Sequence, residues 1–521
     1  MDEFSNRDRD VFLINCAKMI DRGALMSRYS RTRELDIRNL WDKEFAIDRE
    51  RGEKFYERVF LDYGDESVAE LVTAQVGIQN VSNVLSKIIE EGRIGLSYLE
   101  KSSRYVPYRD KKDGKYLYLS PEKAGIPERF WREYDEFNEM IFNLYGKIFT
   151  AVQSRLREIY PLENTSFSIQ GKGNVMYADA DAPEDALKKA YESAIRSRAL
   201  DETRFILPAS TLTNIGISGN ARAFSHLLER LKANGSREAE YLYGALLGEL
   251  RIVFPRLIEN VESAHGRENI DYMRNVRTLI PVVPGTSHDR NGPAVSLISS
   301  GSEEDALNSV ISSHIFEGTQ GYYQDIYQSV SKLDTMGKRD IISRISSLRH
   351  NRRNKLSRSF EHVHYTFEIN TNFGAFRDMQ RHRALTLQRK ALSTDFGYDV
   401  PPIISGMEEI KREFDDAARE SARLYSAIKE RDPISAQYVV LFAHRYPSLI
   451  TVNLRELVYF VELRSTPQAH FDLRRISREM AGLVMNKHPG FSPLFKFLNT
   501  EEEGLGRLNA ELRKEMKQRN L

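Results

Sequence analysis

The stretch RHRALTLQRKALST, residues 381–394, matches GRIGLSYLEKSSRY, residues 92–105, when the two are aligned from their first residues. The later stretch contains Arg-His-Arg and two further cations, Arg389 and Lys390, among leucines that indicate partial burial. Burying a cation costs free energy unless an anion meets it. The anion could be a local carboxylate, a nucleic acid or a phosphorylated cofactor.

Two more pairs of segments extend this match in the same order along the chain. GDESVAELVTAQVGI, which contains Glu70, matches RSFEHVHYTFEI, which contains Glu361. ISGNARAFSHLLERL, with Asn220, matches ITVNLRELVYFVELR, with Asn453. An ordered series of matches indicates an internal repeat. The first copy is the longer one, and we expect its extra residues within 108–181.

The repeat predicts two tandem domains of the same kind, covering residues 1–265 and 266–521. Apolar residues at helical spacing predict long amphipathic helices over residues 135–160 and 408–431. Residues 359–370 alternate and are rich in aromatic side chains, which predicts a strand or an amphipathic helix that turns into one. We therefore predict the α+β class, with a mixed sheet and long helices.

Composition excludes several classes of protein. The net charge is +1, so no global field favours nucleic acid or a membrane surface. Cys16 is the only cysteine, which excludes an intrachain disulfide framework and a zinc ribbon. His362, His364 and His382 match no known ligand spacing, so we expect no metal. The polar N-terminus is unlike a signal peptide and no apolar run reaches about 18 residues, so a cytoplasmic protein is expected.

These landmarks resemble the flavin-dependent thymidylate synthases, in their long tandem form. That family has a Gly-His-x-Ser/Thr-x-x-Glu element followed by Arg-His-Arg-x-x-Ser-x-x-Glu-x-Ser-x-Arg-Tyr. A Glu-x-Ala-Arg-x-x-Leu-Pro element comes next, and then Asn-Ala-Arg opens a helix that ends in Leu-Arg. The resemblance extends from about Ala24 to Gly490, and each half of the chain keeps a different part of it.

The first half keeps residues of the early element, the polar residues after Arg-His-Arg, and part of the Leu-Pro element. They are Gly64, Ser67, Glu70, Ser97, Glu100, Ser102, Arg104, Tyr105, Glu202, Arg204 and Pro208. Arg-His-Arg itself is replaced by Gly92, Arg93 and Ile94. The Leu-Arg position reads Leu231, with Arg230 one residue out of phase.

The second half keeps the complementary parts, which are Arg381, His382, Arg383, Asn453, Leu454, Arg455 and Arg464. After Arg-His-Arg its pattern fails, because Arg389, Ala391 and Ser393 stand where Glu, Ser and Arg belong. Gln437 replaces the arginine of the Leu-Pro element. Complementary losses are expected if the cross-subunit sites of a homotetramer were divided between fused domains. The resemblance thus implies a homodimer that mimics a tetramer.

The resemblance also implies a reaction and a set of roles. The reaction is reductive methylation of dUMP to dTMP with FAD, methylene-tetrahydrofolate and NADPH. Arg464 would stabilise negative charge on the uracil as the catalytic residue. The residues implied to bind dUMP are Ser97, Glu100, Ser102, Ser103, Arg104 and Arg204. Those implied to bind FAD are Ser67, Glu70, Arg381, His382, Arg383, Asn453 and Arg455.

Other functions stay open on the sequence. A non-catalytic flavin- or nucleotide-binding relative is possible because both copies have lost motif residues. A related enzyme that modifies another pyrimidine nucleotide would use the same site. A nucleic-acid-binding scaffold would use Arg-His-Arg, but the net charge of +1 argues against it. Taken singly, these cations are typical of solvated helix faces and helix ends. The sequence also leaves open whether Arg464 reaches the dUMP loop of its own chain or of a partner.

Overall fold

The computed structural model describes residues 3–48, 50–58, 66–169, 173–255, 257–279, 292, 294–501 and 504–519. Up to residue 279, its α-helices are α1 (Met19–Tyr29), α2 (Ile37–Leu40), α3 (Arg51–Tyr56), α4 (Asn83–Ile89), α5 (Pro121–Ala124), α6 (Trp131–Ile159), α7 (Glu184–Thr203), α8 (Ala221–Asn234), α9 (Arg237–Val253) and α10 (Ala264–Thr278). Later come α11 (Glu303–Phe316), α12 (Tyr323–Ser331), α13 (Thr335–Ser347), α14 (Phe373–Met379), α15 (Pro402–Ser405), α16 (Glu408–Lys429), α17 (Leu454–Arg464), α18 (Phe471–Lys487) and α19 (Leu508–Gln518). The strands are β1 (Thr73–Ser82), β2 (Leu96–Glu100), β3 (Ser166–Ile169), β4 (Gly173–Met176), β5 (Leu212–Asn220), β6 (Val295–Ser299), β7 (His364–Asn372), β8 (Leu385–Arg389) and β9 (Arg445–Asn453).

One order of elements occurs twice, which confirms the tandem α+β fold. In the first half β1, α4 and β2 are followed by β5 and α8, and in the second β7, α14 and β8 are followed by β9 and α17. The sheets have equivalent strand orders, β1-β5-β2 and β7-β9-β8, and β6 extends the second sheet beside β7. Every described strand pair is antiparallel, whereas we had expected a mixed sheet.

The long predicted helices are confirmed by α6 and α16, whose apolar stripes face the core. Residues 359–370 form a short 3₁₀ segment, Arg358–His362, that leads into β7. The predicted strand is therefore confirmed from His364 onward, and a short 3₁₀ segment precedes it where the second alternative placed an amphipathic helix. Within the described ranges, no helix is long and apolar enough to cross a lipid bilayer.

The equivalent helices α4 and α14 begin at equivalent caps. The side chains of Ser82 and Asn372 each accept a hydrogen bond from the backbone N–H three residues on. Counting from these caps places Glu91 at the position of Arg381. The alignment of Gly92 with Arg381 is therefore wrong by one residue, because the turn after α4 is one residue longer than the turn after α14.

The extra residues of the first half form a hairpin and a helix. Between α6 and β5 the chain adds the β3–β4 hairpin and α7, whereas α16 is followed by a short 3₁₀ segment, Ser435–Val439, and β9. The hairpin lies within the predicted interval of 108–181. Helix α7 carries the insertion beyond residue 181, and the repeat resumes at its last residues, where Asp201 and Glu202 are equivalent to Ile434 and Ser435.

The two halves meet at equivalent segments that precede β5 and β9. The Ala209 N–H donates to the Val440 carbonyl at 2.8 Å, and the Phe442 N–H donates to the Leu207 carbonyl at 2.8 Å. This antiparallel pairing is centred on a bridge between Pro208 and Leu441. Since these segments occupy equivalent places in the repeat, the halves are related by a local two-fold axis at this contact.

The hydrophobic cores do not follow the division at residue 265, which stays a sequence-based prediction. One core contains buried residues from 4–96 and 215–270. The other joins Val84 and buried residues from 108–209 to those from 295–512. The middle of the first half therefore packs with the second half, so the halves interlock rather than stand side by side.

Candidate functional site

Ten charged side chains meet where the loop after β2 contacts the end of α14, and we call them the charged cluster. They come from both halves of the chain, and all but Arg381 are at least largely buried. The cations are Lys87, Arg104, Arg204, Arg377, Arg381 and Arg464, and the carboxylates are Glu90, Glu100, Asp201 and Asp378.

Glu100 holds three of these cations. Its Oε1 accepts from Arg377 Nη2 at 2.9 Å, and its Oε2 lies 3.1 Å from Lys87 Nζ and 3.6 Å from Arg381 Nη2. Burial raises the pKa of Glu100, but the charge of Arg377 and the other two cations outweighs burial and lowers it to about 2. The carboxylate is therefore ionised at neutral pH.

Asp378, on the last turn of α14, holds a second group of arginines. Its carboxylate lies 3.7 Å from Arg204 Nη1 and 3.8 Å from Arg381 Nε. Arg464 Nη2 donates to its backbone carbonyl at 2.8 Å. Burial raises the pKa of Asp378, yet these arginines and Arg104 hold it far below its usual range. Among the described residues, no donor hydrogen-bonds to its Oδ2.

Arg104 is held by the first half. Its Nε and Nη2 donate to the two carboxylate oxygens of Asp201 at 2.6 and 2.8 Å. Burial lowers the pKa of Arg104, but Asp201 outweighs burial and raises it. The Ser102 hydroxyl accepts from the Arg104 N–H at 3.2 Å, and the Ser103 hydroxyl accepts from Arg377 at 3.3 Å. The predicted phosphate donors thus have protein partners in this state.

Glu202 lies outside the charged cluster. It pairs with Arg198 at 2.7 Å and accepts from the Ile403 N–H at 3.1 Å. Burial raises its pKa to about 7 despite Arg198. The family spacing of Glu-x-Ala-Arg places the acid three residues before the arginine, which here is Asp201. Matching Glu202 to that acid was therefore wrong by one residue.

Arg-His-Arg spans the contact between the halves. His382 is buried, and its Nε2 accepts from Arg464 Nε at 2.9 Å. Its Nδ1 lies 2.9 Å from Glu456 Oε1, so Nδ1 carries the proton. Burial lowers the pKa of His382. Arg383 Nη2 donates to the Ser97 hydroxyl at 3.0 Å, across to β2 of the first half.

The anions beside these cations are carboxylates of the chain itself. Arg381 lies near Glu100 and Asp378, and Arg389 lies 3.4 Å from Glu91. Of the three anions considered for this stretch, local carboxylates are therefore present in the folded chain.

The residues predicted to bind flavin fall into separate groups. Glu70 pairs with Arg222 at 2.8 Å in the first half, and Ser67 lies in the same 3₁₀ segment, Glu66–Leu71. Asn453 caps α17, and Arg455 pairs with Glu361 in the second half. The structure places the first-half pair and the second-half residues in different clusters rather than in one site.

Asn453 and Arg455 line a cavity of about 220 Å³ that also reaches Ala384, next to Arg-His-Arg. Lys355 Nζ lies 4.7 Å from the centre of the Tyr459 ring in the same wall. Cations beside an aromatic ring fit a phosphate and a flat heterocycle. Ligand pockets usually measure about 300–1,000 Å³, so this cavity suits one part of a dinucleotide.

The two-fold relation gives the charged cluster a counterpart, which is a cleft of about 620 Å³ that we call the open cleft. It is lined by α4, the loop after β8 and Gln437. Five charged residues of the cluster are replaced by uncharged ones at the equivalent positions: Ile88 stands for Asp378, Ile434 for Asp201, Gln437 for Arg204, Ser393 for Arg104 and Leu231 for Arg464. A small cavity of about 20 Å³ borders the charged cluster at Asp201.

Five members of the charged cluster, Glu90 among them, escaped the sequence analysis. Lys87, Asp201, Arg377 and Asp378 match no motif that we identified. Their signal was present, because Lys87 interrupts the apolar run NVLSKII and Arg377-Asp378 interrupts FGAFRDM. A charge within an apolar helix is seldom buried without a partner. In the described ranges, no group of three or more His, Cys, Asp or Glu side chains is arranged to hold a metal.

Comparison with known families decides the relationship. The family model described as "Thymidylate synthase complementing protein" matches residues 18–256 and 312–490, one segment in each half. The chain belongs to this family. Both matched segments contain one full β–α–β…β–α unit of the repeat. At the family level, the chain is thus a thymidylate synthase-type transferase in tandem form.

Individual relatives show the same relationship at different distances. UPF0159 protein Ta1429 of Thermoplasma acidophilum is 46% identical over 504 residues, which cover 96% of this chain and 99% of the relative. A flavin-dependent thymidylate synthase of Geobacter sulfurreducens is 27% identical over 139 residues, covering 25% of this chain and 60% of the relative. The crystal structure of a UMP/dUMP methylase, PolB, from Streptomyces cacaoi bound with 5-Br dUMP matches at a TM-score of 0.31 with 16% identity, covering 40% and 96% of the two chains.

Proposed function

We propose that this chain is a cytoplasmic flavin-dependent enzyme that methylates dUMP to dTMP, with methylene-tetrahydrofolate as carbon donor and NADPH as reductant. Family membership and relatives named as flavin-dependent thymidylate synthases support this reaction. The observation that carries the proposal is the excess of positive charge in the charged cluster.

The charged cluster has six cations and four carboxylates, an excess of two positive charges. Its histidine neighbour, His382, adds no charge at neutral pH, because burial lowers its pKa. Buried ions need partners of opposite sign, so an excess of two charges favours a ligand that carries two negative charges. A phosphate monoester carries about −1.5 to −2 at pH 7. The 5′-phosphate of a nucleotide meets this requirement.

The residues of the cluster have distinct proposed roles. Arg104, Arg204, Ser102 and Ser103 would bind the phosphate and sugar, exchanging part of their present contacts with carboxylates and backbone for the ligand. Arg464 would lie against the pyrimidine, where a guanidinium stabilises developing negative charge. Its place is fixed by hydrogen bonds to His382 and to the Asp378 carbonyl, at 2.9 and 2.8 Å.

A flavin would lie in the cavity beside α17. Asn453, Arg455 and the adjacent Arg-His-Arg would hold its phosphate and ring, and bound FAD would supply the redox chemistry. Ser67 and Glu70 lie in the other half and would not reach this cavity in the same chain. In the proposed homodimer they are available to a site on the second chain.

Ligand binding tests the nucleotide assignment. Isothermal titration of wild type with dUMP and with deoxyuridine should show that dUMP binds far more tightly. Arg104→Ala should weaken dUMP at least tenfold, because a charge-assisted hydrogen bond contributes about 1.5–3 kcal/mol, and should leave deoxyuridine nearly unchanged. Arg339→Ala removes another arginine paired to a carboxylate, Glu303, outside the charged cluster and serves as the matched control. Equal weakening of both ligands would refute a phosphate role for Arg104.

Absorbance and turnover test the reaction. Purified protein should carry a flavin spectrum, and the double variant Arg381→Ala, His382→Ala should fold but lose it. Wild type should convert dUMP to dTMP with methylene-tetrahydrofolate and NADPH. Flavin retained in the double variant would remove that residue assignment, and absence of dTMP would remove the reaction.

A non-catalytic nucleotide- and flavin-binding protein is the second candidate. The observation that favours it is the internal pairing of Arg104 with Asp201 and of Glu100 with Arg377, which satisfies groups that an enzyme would offer to substrate. This alternative predicts binding of dUMP and flavin without formation of dTMP.

A further inference from the structure

The open cleft keeps the position of the charged cluster but has different chemistry. Its floor contains Ile88, Leu392 and Phe373, and Ile434 at its edge is 38% exposed. Its volume of about 620 Å³ lies within the range of about 300–1,000 Å³ that is usual for small-molecule sites. An apolar floor of this size suits a flat hydrophobic ring system.

Cations are in excess around this floor. Arg277, Arg389 and Lys390 line the cleft, together with Lys87 of the charged cluster. Among the described lining residues, Glu91 is the one carboxylate. Glu91 lies 3.4 Å from Arg389. Arg277 and Lys390 are exposed, and no carboxylate lies within 4.0 Å of either one in the described part of the chain. Two positive charges are therefore left without an acidic partner.

Arg389 also has an unused donor. Its Nη1 donates to the Tyr446 hydroxyl at 3.2 Å and its Nη2 lies 3.4 Å from Glu91 Oε2. Its Nε is buried and has no acceptor among the described residues. A buried guanidinium N–H without an acceptor costs free energy, which an anionic ligand oxygen would offset.

The pair formed by Glu91 and Arg389 has the reverse charges of its counterpart. In the charged cluster the equivalent positions hold Arg381 and Glu100, 3.6 Å apart. The arginine therefore projects from the strand β8 and the acid from the turn after α4.

We propose that the open cleft is a second binding site, for an aromatic compound that carries an anionic group. The ring would lie on Ile88, Phe373 and Ile434, and the anion would meet Arg389 and Lys390. This ligand differs from the nucleotide proposed for the charged cluster, because Ser393, Gln437 and Leu231 replace three of the arginines there. The inference does not depend on the proposed reaction.

Titration calorimetry with 2-naphthoate tests the site, with naphthalene-2-methanol as the neutral probe of the same ring. Wild type should bind one naphthoate per chain and bind the alcohol at least about tenfold more weakly. Lys390→Gln and Arg389→Gln should each weaken naphthoate about tenfold or more. Ala391→Trp, at an exposed lining position, should fill the cleft and abolish binding.

Lys332→Gln, at an exposed lysine that does not line the cleft, should bind like wild type. Thermal unfolding of each variant verifies its fold. The proposal is overturned if naphthoate fails to bind, if the alcohol binds equally well, or if Ala391→Trp folds and still binds. It is also overturned if dUMP displaces naphthoate competitively, since the probe would then occupy the charged cluster.

Discussion

The charged cluster and the open cleft occupy equivalent positions around one two-fold contact, yet one is closed by ion pairs and the other is open. Nearly the same backbone surrounds both, since each lies between a loop after an edge strand and the end of a short capped helix. The difference lies in a few side chains. Asp378 and Asp201 hold arginines in the cluster, whereas Ile88 and Ile434 take their places in the cleft.

This comparison shows how a duplicated fold can separate two tasks. A symmetric tetramer of single domains must place the same residues at every equivalent site. A tandem chain has no such restriction, because each copy can change by itself. Here the change concentrated the positive charge and its carboxylates at one site, and left the other with an apolar floor and cations at its edge.

The two regions should differ most in how far the loss of one arginine lowers the free energy of unfolding. Arg377→Met leaves Glu100 without its closest partner in a fully buried position, and we expect a loss of about 3–5 kcal/mol. Arg389→Met removes a guanidinium in the cleft from Glu91, whose side chain is 42% exposed, and should cost about 1 kcal/mol or less. Chemical denaturation of both variants measures the difference. Equal losses would mean that the buried carboxylate is compensated by Lys87 and Arg381 alone.

A pH dependence of the free energy of unfolding should come from Glu202, the neighbour of Asp201 in the charged cluster. Burial raises the pKa of Glu202 to about 7, from an unfolded value of 4.5. Between these two pH values the folded state keeps a proton that the unfolded chain releases. The contribution of Glu202 to the free energy of unfolding is therefore complete below pH 4.5 and is lost as the pH rises through about 7. The shift corresponds to roughly 3 kcal/mol.

Glu202→Gln should abolish this loss of stability between pH 5 and 7, measured by unfolding at a series of pH values. The equivalent residue beside the open cleft is Ser435, which is buried and uncharged. Ser435→Ala should leave the pH dependence as in wild type. A wild-type profile that rises steadily from pH 5 to 7 would contradict a raised pKa at Glu202.

Asp378 should limit the affinity of the charged cluster for phosphate. Asp378→Asn keeps the size of the side chain but removes a negative charge between Arg204 and Arg381, so dUMP should bind about tenfold more tightly, or about 1.4 kcal/mol. Titration calorimetry measures this, and Asp340→Asn at an exposed position of α13 is the control. Unchanged or weaker binding would show that phosphate does not share the space of Asp378.

Mixing two inactive variants should restore no activity. Within one chain, Arg104 pairs with Asp201 and Arg464 donates to the Asp378 carbonyl, so both arginines belong to the same charged cluster. Arg104→Ala and Arg464→Ala proteins should therefore regain no activity after subunit exchange, because each heterodimer site keeps a lesion. Recovery toward half of wild-type activity per dimer would instead show that competent sites form between chains.

The sequence was informative wherever a signal repeats over many residues. The tandem order, α6, α16 and the family followed from periodicity and from motifs with fixed spacing. Sequence comparison was wrong at single positions, because one additional residue in a turn shifts the alignment of the residues around it. Gly92 was paired with Arg381 although the caps place Glu91 there, and Glu202 was matched although Asp201 has the right spacing.

By itself, the sequence determined that the chain is a duplicated α+β protein and that its two copies had lost complementary residues. Those properties are local, since they depend on capping, hydrophobic periodicity and motif order within each copy. Only the tertiary structure decided that the copies interlock, and that Arg104, Arg381 and Arg464 of one chain meet in one cluster with the buried residues Glu100, Asp201 and Asp378. It also decided that the equivalent position is an open cleft. The reason is physical: which charges meet depends on residues far apart in the chain, and burial then sets their pKa values and their need for partners.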